Sequence, residues 1–478
     1  MFEHENDTIA AICTGTGGAI SIIRVSGPHA LDAVRRVWRG KRMPGPDCPR
    51  VMLYGRIVSG TEEDGAGEPS LVVFMPGPHS FTGEDVAEIH CHGGSFAARR
   101  ALRLLLHAGV RLAQNGEFTR RAFLNGKLDL TQAEGILDLI NAGNERAGIL
   151  AERQLNGAVG SLVREIRAGI IHLLSECESR LDFSEEDLDW MPPDVLTGRI
   201  TALREQAAAL ALTARAGTLI RDGVSLVIAG PPNAGKSSLL NRMLGYDRAI
   251  VTPIPGTTRD TLEEPLSIGG VSFRVTDTAG LREAEQADPV EALGMERSQQ
   301  SLGAADIVLW LLDAAAPAET FPAQIAAMNR AKDAVRGKFI PCWNKMDGAS
   351  VHPDELERMG AATKSKDGNA NSALAFEYIS ARTGDGLDRL FRRLEDTAWD
   401  GLPAAAQSGG AAVSERHAAL LEQAAGHLDA ACKCVREASW ELAGSSLRTA
   451  AELTGCITGE TATPDILDEI FSRFCIGK

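Results

Sequence analysis

The sequence predicts a multidomain chain of mixed α+β and α/β architecture, and three observations indicate this fold class. Its 478 residues are more than one hydrophobic core organises, so we expect about three domains. Residues 224–238 have the pattern of a buried strand, a glycine-rich turn and the start of a helix. Apolar residues repeat with a helical period on both sides of that segment, which indicates a helical domain interrupted by an inserted α/β domain.

The N-terminal domain, residues 1–124, is predicted to be α+β. Alternating polar and apolar residues predict strands, and Pro28 is typical of the first turn of a helix. The strands are expected at residues 18–27, 51–58, 71–75 and 85–92, and the helices at residues 28–38 and 95–108.

The helical domain is predicted in two parts, residues 125–217 and residues 388–478. In the first part the helical period begins near Leu128, and one helix is predicted over residues 202–216. The second part resumes the same period, so we interpret both parts as one domain. The inserted domain comprises residues 218–387.

Composition and charge restrict the class of protein. The apolar and charged fractions, 44% and 24%, are those of an ordinary globular protein. No apolar run reaches membrane-spanning length and the first residues are acidic, so we expect a cytoplasmic protein without a membrane partner. The net charge of −15 requires that any surface for nucleic acid be local or be supplied by a partner.

Cysteine and histidine positions favour structural roles. The nine cysteines form no CxxC pair, which is typical of a reducing compartment. His90 and His92 share one face of a predicted strand, but no second ligand pair stands at zinc spacing. Cys475 is fourth from the end, yet Gly477 and Lys478 fit a prenylation signal badly. A nucleophilic thiol and a structural or ligand-proximal cysteine both stay open for Cys475.

The turn that begins at Gly230 fits the phosphate-binding P-loop, Gly-x-x-x-x-Gly-Lys-Ser. Its backbone N–H groups and the following helix N-terminus are expected to bind phosphates. Lys236 is expected to reach the β- and γ-phosphates, and the Ser237 hydroxyl to bind Mg²⁺. The loop residues predicted to bind the nucleotide are Asn233, Ala234, Gly235, Lys236, Ser237 and Ser238.

Three downstream motifs identify the nucleotide as GTP. The first, Asp277-Thr278-Ala279-Gly280, follows a predicted strand, so Asp277 can reach Mg²⁺ through water and Gly280 N–H can meet the γ-phosphate. In the second, Asn344-Lys345-Met346-Asp347, the aspartate accepts guanine N1–H and N2–H₂, which adenine does not offer in that arrangement. The third, Ser380-Ala381-Arg382, is expected to close over the base at O6. These motifs favour GTP over ATP and a Ras-like P-loop GTPase domain.

A switch loop that senses the γ-phosphate is predicted at Thr252-Pro253-Ile254-Pro255-Gly256-Thr257-Thr258, with the Thr258 hydroxyl on Mg²⁺. Leu281 stands where Ras-like proteins carry a water-orienting glutamine, and an apolar side chain cannot orient water. An arginine finger or a bound cation must replace that glutamine. Asn233 favours the cation, because its amide oxygen and carbonyls of the switch loop would make an all-oxygen site for K⁺.

Two sets of candidate residues stay open on spacing alone. The attacking water needs a carboxylate, for which the candidates are Glu283, Glu285, Glu291 and Glu296. In the N-terminal half, a site for a small anionic, hydrogen-bonding ligand is a hypothesis for Arg24, Glu88 and Lys127. The alternative for the stretch around Lys127 is a plain connector that enters a helix.

Over nearly its whole length the sequence resembles the bacterial tRNA modification GTPases of the MnmE/TrmE type. The GTPase motifs alone would fit ribosome-assembly GTPases equally well. The motifs at the two ends of the chain do not fit those proteins. The resemblance is carried by Asn6-Asp-Thr-Ile, Ser80-Phe-Thr-Gly-Glu-Asp, residues 116–130, residues 230–238, residues 250–260, residues 277–283 and Phe474-Cys-Ile-Gly-Lys478.

The resemblance implies a K⁺-dependent GTPase that forms a homodimer. With an FAD-dependent partner protein, in a heterotetramer, it would add an aminomethyl or carboxymethylaminomethyl group to the wobble uridine of certain tRNAs. The N-terminal domain then resembles a tetrahydrofolate-binding and dimerisation domain that supplies the one-carbon unit. GTP would bring two G domains together, and hydrolysis would release them. A regulatory GTPase switch that binds the ribosome or RNA without a modification role is the alternative.

The resemblance also implies site residues, which transfer by motif match. The folate site falls on Arg24, Glu88, Lys127 and Lys478; the K⁺ site on Asn233, Thr252, Ile254 and Thr257; and the Mg²⁺ site on Ser237 and Thr258. Glu291 would position the water, with Lys236 as the second catalytic residue. The segment between Asp277 and Glu291 is slightly longer than is usual in the family.

Overall fold

The computed structural model describes residues 7–15, 17–59, 67–182, 190–246, 263–269, 271–277, 302–349, 351–361, 375–400 and 411–478. Contacts divide the chain into two compact units. The first comprises Met1–Asn141, Ala151–Ala211 and Arg416–Lys478, and the second comprises Ala142–Leu150 and Leu212–Glu415. The domain boundaries predicted at residues 124, 217 and 387 stay predictions.

A seven-stranded sheet forms the N-terminal part of the first unit. Its strands are β1 (Ile9–Ile12), β2 (Ile20–Ser26), β3 (Trp38–Gly40), β4 (Leu53–Ile57), β5 (Glu68–Met75), β6 (Val86–His92) and β7 (Arg111–Leu112). Their order is β3-β4-β5-β6-β2-β1-β7, and β1 pairs with β2 antiparallel and with β7 parallel. Because apolar residues alternate onto one face of the strands, helices α1 (Ala30–Val37) and α2 (Ser95–His107) cover that face.

The predicted helix through Trp38 is wrong at its C-terminal end. α1 ends at Val37, and Trp38 begins β3. The indole is fully buried against Gly55 of β4, where a Cβ would stand 2.4 Å from ring carbon Cζ2. Since Gly55 leaves this space open, pairing β3 with β4 buries a large apolar ring. A local helical pattern does not reveal this gain, because Gly55 lies far along the chain.

Helices follow the sheet in the first unit and continue into the second. They are α3 (Glu117–Leu124), α4 (Leu130–Asn141), α5 (Glu145–Leu155), α6 (Ala158–Asp182), α7 (Pro193–Ala211) and α8 (Ala214–Asp222). The predicted continuous helix over residues 202–216 is therefore wrong. The break follows Ala211, where the chain passes from the first unit into the second. Thr213 is held in the second unit, since its hydroxyl accepts the Val413 N–H at 3.2 Å.

The second unit is built on a six-stranded sheet ordered β13-β12-β11-β8-β10-β9. Its strands are β8 (Val224–Ala229), β9 (Glu263–Ile268), β10 (Val271–Asp277), β11 (Ile307–Asp313), β12 (Lys338–Asn344) and β13 (Glu377–Tyr378). The pairs are parallel except that of β9 with β10. Helices α9 (Lys236–Tyr246), α10 (Phe321–Lys332), α11 (Pro353–Ala361) and α12 (Leu387–Trp399) belong to the same unit. The 3₁₀ turns Ala318–Thr320 and Met346–Gly348 also lie there.

The last helices return to the first unit: α13 (Glu415–Arg436), α14 (Trp440–Thr458) and α15 (Pro464–Ser472). α14 packs antiparallel against α6, with Arg180 against the ring of Trp440 at one end and Arg167 bound to the Ala451 carbonyl further along. Apolar faces with helical spacing drive this packing.

The fold class predicted from the sequence is confirmed: an N-terminal α+β domain, a helical domain and a P-loop GTPase-like α/β domain. β8 lies between β10 and β11 in the sheet. The chain therefore adds strands first on one side of β8 and then on the other, which makes the carboxyl end of β8 a topological switch point. Ligands of such sheets bind outside the carboxyl ends of the strands at that point. In the described part of the chain, no helix has both the length and the hydropathy to cross a lipid bilayer.

Candidate nucleotide-binding site

The predicted P-loop lies between β8 and α9, where the sequence expected it. β8 ends at Ala229 and α9 begins at Lys236. Gly230 has φ 147°, and a Cβ there would stand 2.4 Å from the Leu311 carbonyl oxygen. Only glycine fits this close approach of backbone to backbone. Asn233, the predicted K⁺ ligand, is exposed and has φ 63°, a left-handed conformation that asparagine tolerates.

Lys236 folds back over the loop. Its ammonium group donates hydrogen bonds to the carbonyl oxygens of Gly230 at 3.1 Å and Pro231 at 3.0 Å. Ser237 and Ser238 follow in the first turn of α9. The lysine charge and the N-terminus of α9 therefore make one electropositive concavity, which suits phosphate.

Asn344 connects the P-loop to the two other motifs. It is 1% exposed, and its amide nitrogen donates to the carbonyl oxygen of Ala234 at 2.8 Å. Its amide oxygen accepts the Ala381 N–H at 3.0 Å. Both functional groups of a buried amide are thus satisfied, and the three predicted motifs are brought together.

Asp347, the predicted acceptor for guanine, has two side-chain partners. Ser380 Oγ donates to one carboxylate oxygen at 2.6 Å, and Arg382 stands 2.9 Å from the other. The Ser380 hydrogen bond and the Arg382 charge hold the pKa of Asp347 below its usual range. The group is therefore an ionised acceptor, as recognition of two guanine N–H groups requires.

Asp313 is a site residue that the sequence interpretation missed. Lys345 has φ 62°, and its ammonium group lies 2.7 Å from Asp313 Oδ2. Asp313 ends β11, one of the parallel strands next to the P-loop strand. Its position directly after a buried apolar strand was the available signal.

The remaining predicted nucleotide residues are described only in part. Asp277 ends β10 and lies beside Ile228 of β8 in the parallel register, so the backbone reaches the P-loop edge of the sheet. The other predicted residues lie outside the described residues: Thr252, Pro253, Ile254, Pro255, Gly256, Thr257, Thr258, Thr278, Ala279, Gly280 and Glu291.

A second cluster lies on the N-terminal sheet around Arg24. Arg24 Nε is 2.8 Å from Glu88 Oε1, across the β2–β6 pair. The guanidinium lies 5.0 Å from the Phe81 ring centre and 5.7 Å from that of Phe118. Burial opposes ionisation of Glu88, but the hydrogen bond with His90 and the charge of Arg24 hold its pKa below the usual range. The cluster thus offers an ionised carboxylate beside aromatic surfaces.

The C-terminal tail reaches this cluster. Phe118 N–H donates to a backbone oxygen of Lys478 at 3.2 Å, and Ile476 forms a β-bridge with Asn115. Cys13, which the sequence interpretation missed, also lies there. Burial raises the pKa of the Cys13 thiol, while the charges of Arg24 and Lys478 act in the opposite direction. The Lys478 backbone therefore lies at Phe118, whose ring contacts the Arg24 guanidinium that pairs with Glu88.

Lys127, the fourth predicted folate residue, contacts the loop of residues 78–83. Its ammonium group donates to the Pro78 carbonyl at 3.1 Å, and its Cγ lies 3.4 Å from where a Cβ would stand on Gly83. Phe81 of the same loop contacts Arg24. Lys127 is thus connected with the other predicted folate residues through the loop of residues 78–83.

The two histidines of the N-terminal sheet have carboxylate partners. His90 Nε2 lies 3.3 Å from Glu88 Oε2, and His92 Nδ1 lies 2.6 Å from Glu68 Oε1. Across the described residues, no group of three or more histidine, cysteine, aspartate or glutamate side chains is arranged to hold a metal ion.

The fold and the nucleotide site define a P-loop GTPase. Two family models match most of the chain: "GTP-binding protein TrmE N-terminus" over residues 8–127 and "MnmE helical domain" over residues 130–475. Proteins named tRNA modification GTPase MnmE are similar over the full length. Those of Roseiflexus castenholzii, Chloroflexus aurantiacus and Verminephrobacter eiseniae are 43%, 42% and 41% identical, with at least 99% of each chain covered. The chain belongs to the MnmE family of tRNA modification GTPases, which confirms the predicted family and its enzyme class, a GTP hydrolase.

Proposed function

We propose that this chain is a K⁺-dependent GTPase that takes part in building the wobble-uridine modification. With an FAD-dependent partner protein it adds an aminomethyl or carboxymethylaminomethyl group to certain tRNAs, using a tetrahydrofolate one-carbon unit. One observation carries the proposal: the chain holds two built sites, an Asn344-centred nucleotide site and an Arg24–Glu88 cluster. A regulatory switch needs the first site and has no use for the second.

The nucleotide site has residues for each part of GTP. Asp347 accepts hydrogen bonds from the guanine edge, because its carboxylate is held ionised by Ser380 and Arg382. Lys236 and the α9 N-terminus bind the phosphates. Ser237 and Thr258 are the proposed Mg²⁺ ligands, and Mg²⁺ supplies charge neutralisation of the phosphates when bound.

The proposed K⁺ site rests on Asn233 and on Leu281. Asn233 is exposed in the left-handed conformation next to Ala234, so its amide oxygen is available at the P-loop. Thr252, Ile254 and Thr257 complete the proposed ligand set. A bound K⁺ supplies positive charge beside the phosphates, which an arginine finger supplies elsewhere. Since Leu281 has no polar group, another residue must position the water, and the match to the family motif makes Glu291 the proposed one.

The Arg24–Glu88 cluster fits the chemistry of a folate. A pterin ring presents N–H donors, which an ionised Glu88 accepts. The exposed ring of Phe81 offers a flat apolar surface. The glutamate tail of a folate is anionic, and Lys478 and Lys127 are the proposed cations for it. A tetrahydrofolate derivative supplies the one-carbon unit when bound.

The wider assembly is also part of the proposal. We expect a cytoplasmic homodimer that joins the FAD-dependent partner in a heterotetramer and acts on tRNA. GTP binding is proposed to bring two G domains together, and hydrolysis to release them. This cycle would time the chemistry at the folate sites.

Mass spectrometry of wobble nucleosides from a deletion strain tests the proposal. The wild-type chain should restore the modification, whereas Lys236→Ala and Glu88→Gln should not. Glu88→Gln should still hydrolyse GTP, because Glu88 lies in the other unit. Glu469→Gln, an exposed carboxylate on α15, is the matched control and should restore modification. Restoration by both Lys236→Ala and Glu88→Gln would overturn the proposal.

The cation assignment has its own test. GTP hydrolysis should be faster in KCl than in NaCl at equal ionic strength. Asn233→Ala should remove that difference while GTP still binds, and equal wild-type rates in the two salts would contradict the assignment. Glu291→Ala should lose hydrolysis and keep GTP binding; full activity would move the role to another glutamate.

A further inference from the structure

The two helices that cover the N-terminal sheet have a charge opposite to that of the chain. α1 and α2 together carry one acidic residue, Asp32, and five arginines: Arg35, Arg36, Arg99, Arg100 and Arg103. The whole chain has a net charge of −15. An acidic protein that binds nucleic acid must concentrate its positive charge locally, and these helices are such a concentration.

The outward face of α2 carries arginine and apolar side chains in one stripe. Phe96, Arg99, Arg103 and Leu106 stand at spacings of three and four residues, which places them on one side of the helix. Ala98, Ala101 and Leu105 occupy the opposite side and are fully buried against the sheet. The buried side fixes the helix orientation, so the stripe faces away from the sheet.

The side chains of this stripe are available to a ligand. Phe96 is 75% exposed, and Arg99 and Arg103 are both exposed. Within the described residues, neither arginine has a hydrogen bond or an ion pair. Their Cα atoms are about 6 Å apart along the helix axis, from a rise of about 1.5 Å per residue. Two guanidinium groups at that spacing can contact one nucleic-acid backbone.

α1 extends the positive surface. Arg36 is exposed and donates to the Ala108 carbonyl at 3.0 Å, which places the end of α1 beside the end of α2. Arg39 donates to the carbonyl oxygens of Arg35 and Arg36. It thereby satisfies C-terminal carbonyls of α1, whose partial negative charge would otherwise oppose an anionic ligand.

We propose that the surface formed by Arg36, Phe96, Arg99 and Arg103 docks the tRNA substrate, an inference that rests on the proposed function. The arginines bind backbone phosphates of the RNA. Phe96 stacks on an unpaired base, as exposed aromatic side chains do in single-stranded RNA recognition. An acidic protein partner would use the arginines as well, but a solvent-exposed ring next to them fits a base better than it fits a carboxylate.

The test measures binding of an unmodified tRNA transcript with a wobble uridine to the full-length chain at several salt concentrations. Arg99→Glu/Arg103→Glu should weaken binding at least tenfold at low salt. It should also lower the slope of log affinity against log salt by about 1.4, since each phosphate contact to a single strand contributes about 0.7. Phe96→Ala should weaken binding about fivefold or more and leave the salt slope unchanged.

Arg153→Glu/Arg199→Glu is the matched control, because both arginines are exposed on other helices of the same unit and the change in net charge is identical. It should retain most of the affinity. Equal losses in the two double variants would overturn the inference, and so would salt-independent binding by the wild type. If Arg99→Glu/Arg103→Glu lost binding to the FAD-dependent partner but kept its tRNA affinity, the surface would be a protein-binding site. That result would also overturn the inference.

Further measurements separate this inference from the proposed function. GTP hydrolysis without RNA should be unchanged in Arg99→Glu/Arg103→Glu, because both arginines lie in the other unit. The thermal melting curve should match that of the wild type, which shows that the variant is folded. Failure of the wild-type chain to restore wobble modification refutes the proposed function. If the wild type and Arg99→Glu/Arg103→Glu restore wobble modification equally, only the docking surface is refuted.

Discussion

Asn344 donates its side-chain amide to the carbonyl oxygen of Ala234 in the P-loop at 2.8 Å. The same amide group accepts the backbone N–H of Ala381. One buried side chain therefore holds the phosphate-binding loop and the base-binding loops in a fixed relation. Its first role is structural, since both hydrogen bonds are made to backbone groups of the protein itself.

Asn344→Ala should destabilise the nucleotide-free GTPase unit. It leaves the Ala234 carbonyl and the Ala381 N–H buried without partners, at about 1–3 kcal/mol each. We expect a loss of about 2–6 kcal/mol in the free energy of unfolding, measured by denaturant titration without nucleotide. GTP affinity should fall as well, since the loops separate. If Asn344→Ala lost GTP affinity but kept the wild-type free energy of unfolding, Asn344 would act only on the nucleotide.

Asp347→Asn should change the base that the site accepts. In the proposed function the carboxylate accepts two guanine N–H groups, whereas an amide offers a donor, which suits the C2 carbonyl of xanthine. We expect GTP affinity to fall roughly 5- to 150-fold, the equivalent of about 1–3 kcal/mol for a bidentate contact to a base. XTP affinity should rise. Competition against a fluorescent nucleotide measures both.

Asn344→Asp is the matched control for that exchange, because it introduces the opposite change within the same motif. It should lower affinity for GTP and XTP alike. The outcome that contradicts the role of Asp347 is an Asp347→Asn variant whose preference for GTP over XTP equals that of the wild type.

The nucleotide site could be predicted from the sequence because its requirements are local. Gly230 needs a positive φ and a close backbone approach, and Lys236 follows at a fixed distance in the chain. The strand before the loop has the predicted bounds, and the helix after it begins where its pattern indicates. Asp347 and Ser380 were assigned in the same way, and the structure places their side chains 2.6 Å apart.

Contacts between distant parts of the chain could not be predicted in this way. The strand at Trp38 depends on the space over Gly55. The position of Cys13 beside Arg24 and Lys478 depends on the path of the C-terminal tail. Only the family resemblance connected Lys478 with Arg24, because nothing in the local pattern of either residue indicates the other.

Glu134 should make the stability of the helical domain dependent on acidic pH. Its carboxylate lies 2.6 Å from His417 Nε2 and 2.9 Å from Arg416 Nε. Burial opposes ionisation, but the charges and hydrogen bonds of His417 and Arg416 lower its pKa to about 2. Because the folded pKa is depressed, the stabilisation is present above the unfolded pKa of about 4.3. It is lost as pH falls toward 2.

Glu134→Gln measures that contribution. The shift corresponds to about 3 kcal/mol at neutral pH, at about 1.4 kcal/mol per pKa unit. We expect the difference in free energy of unfolding between wild type and Glu134→Gln to be large at about pH 7 and to shrink below about pH 4. Glu469→Gln, which removes an exposed ion pair, should change stability by under about 1 kcal/mol at both pH values. A difference that grows with acidity would refute the assignment.

Gly477→Ala should displace the C-terminal tail and expose Cys13. Gly477 has φ 98°, and a Cβ there would stand 2.6 Å from the Ile12 carbonyl and 3.1 Å from Cys13 Cα. Backbone atoms cannot yield to such a contact, so the tail must move. We expect Cys13 to be alkylated several-fold faster, measured by peptide mass spectrometry with Cys456 as the internal reference. Gly426→Ala, whose Cβ meets no atom within 4 Å, should leave both rates unchanged. A wild-type rate at Cys13 in Gly477→Ala would show that the tail does not cover the thiol.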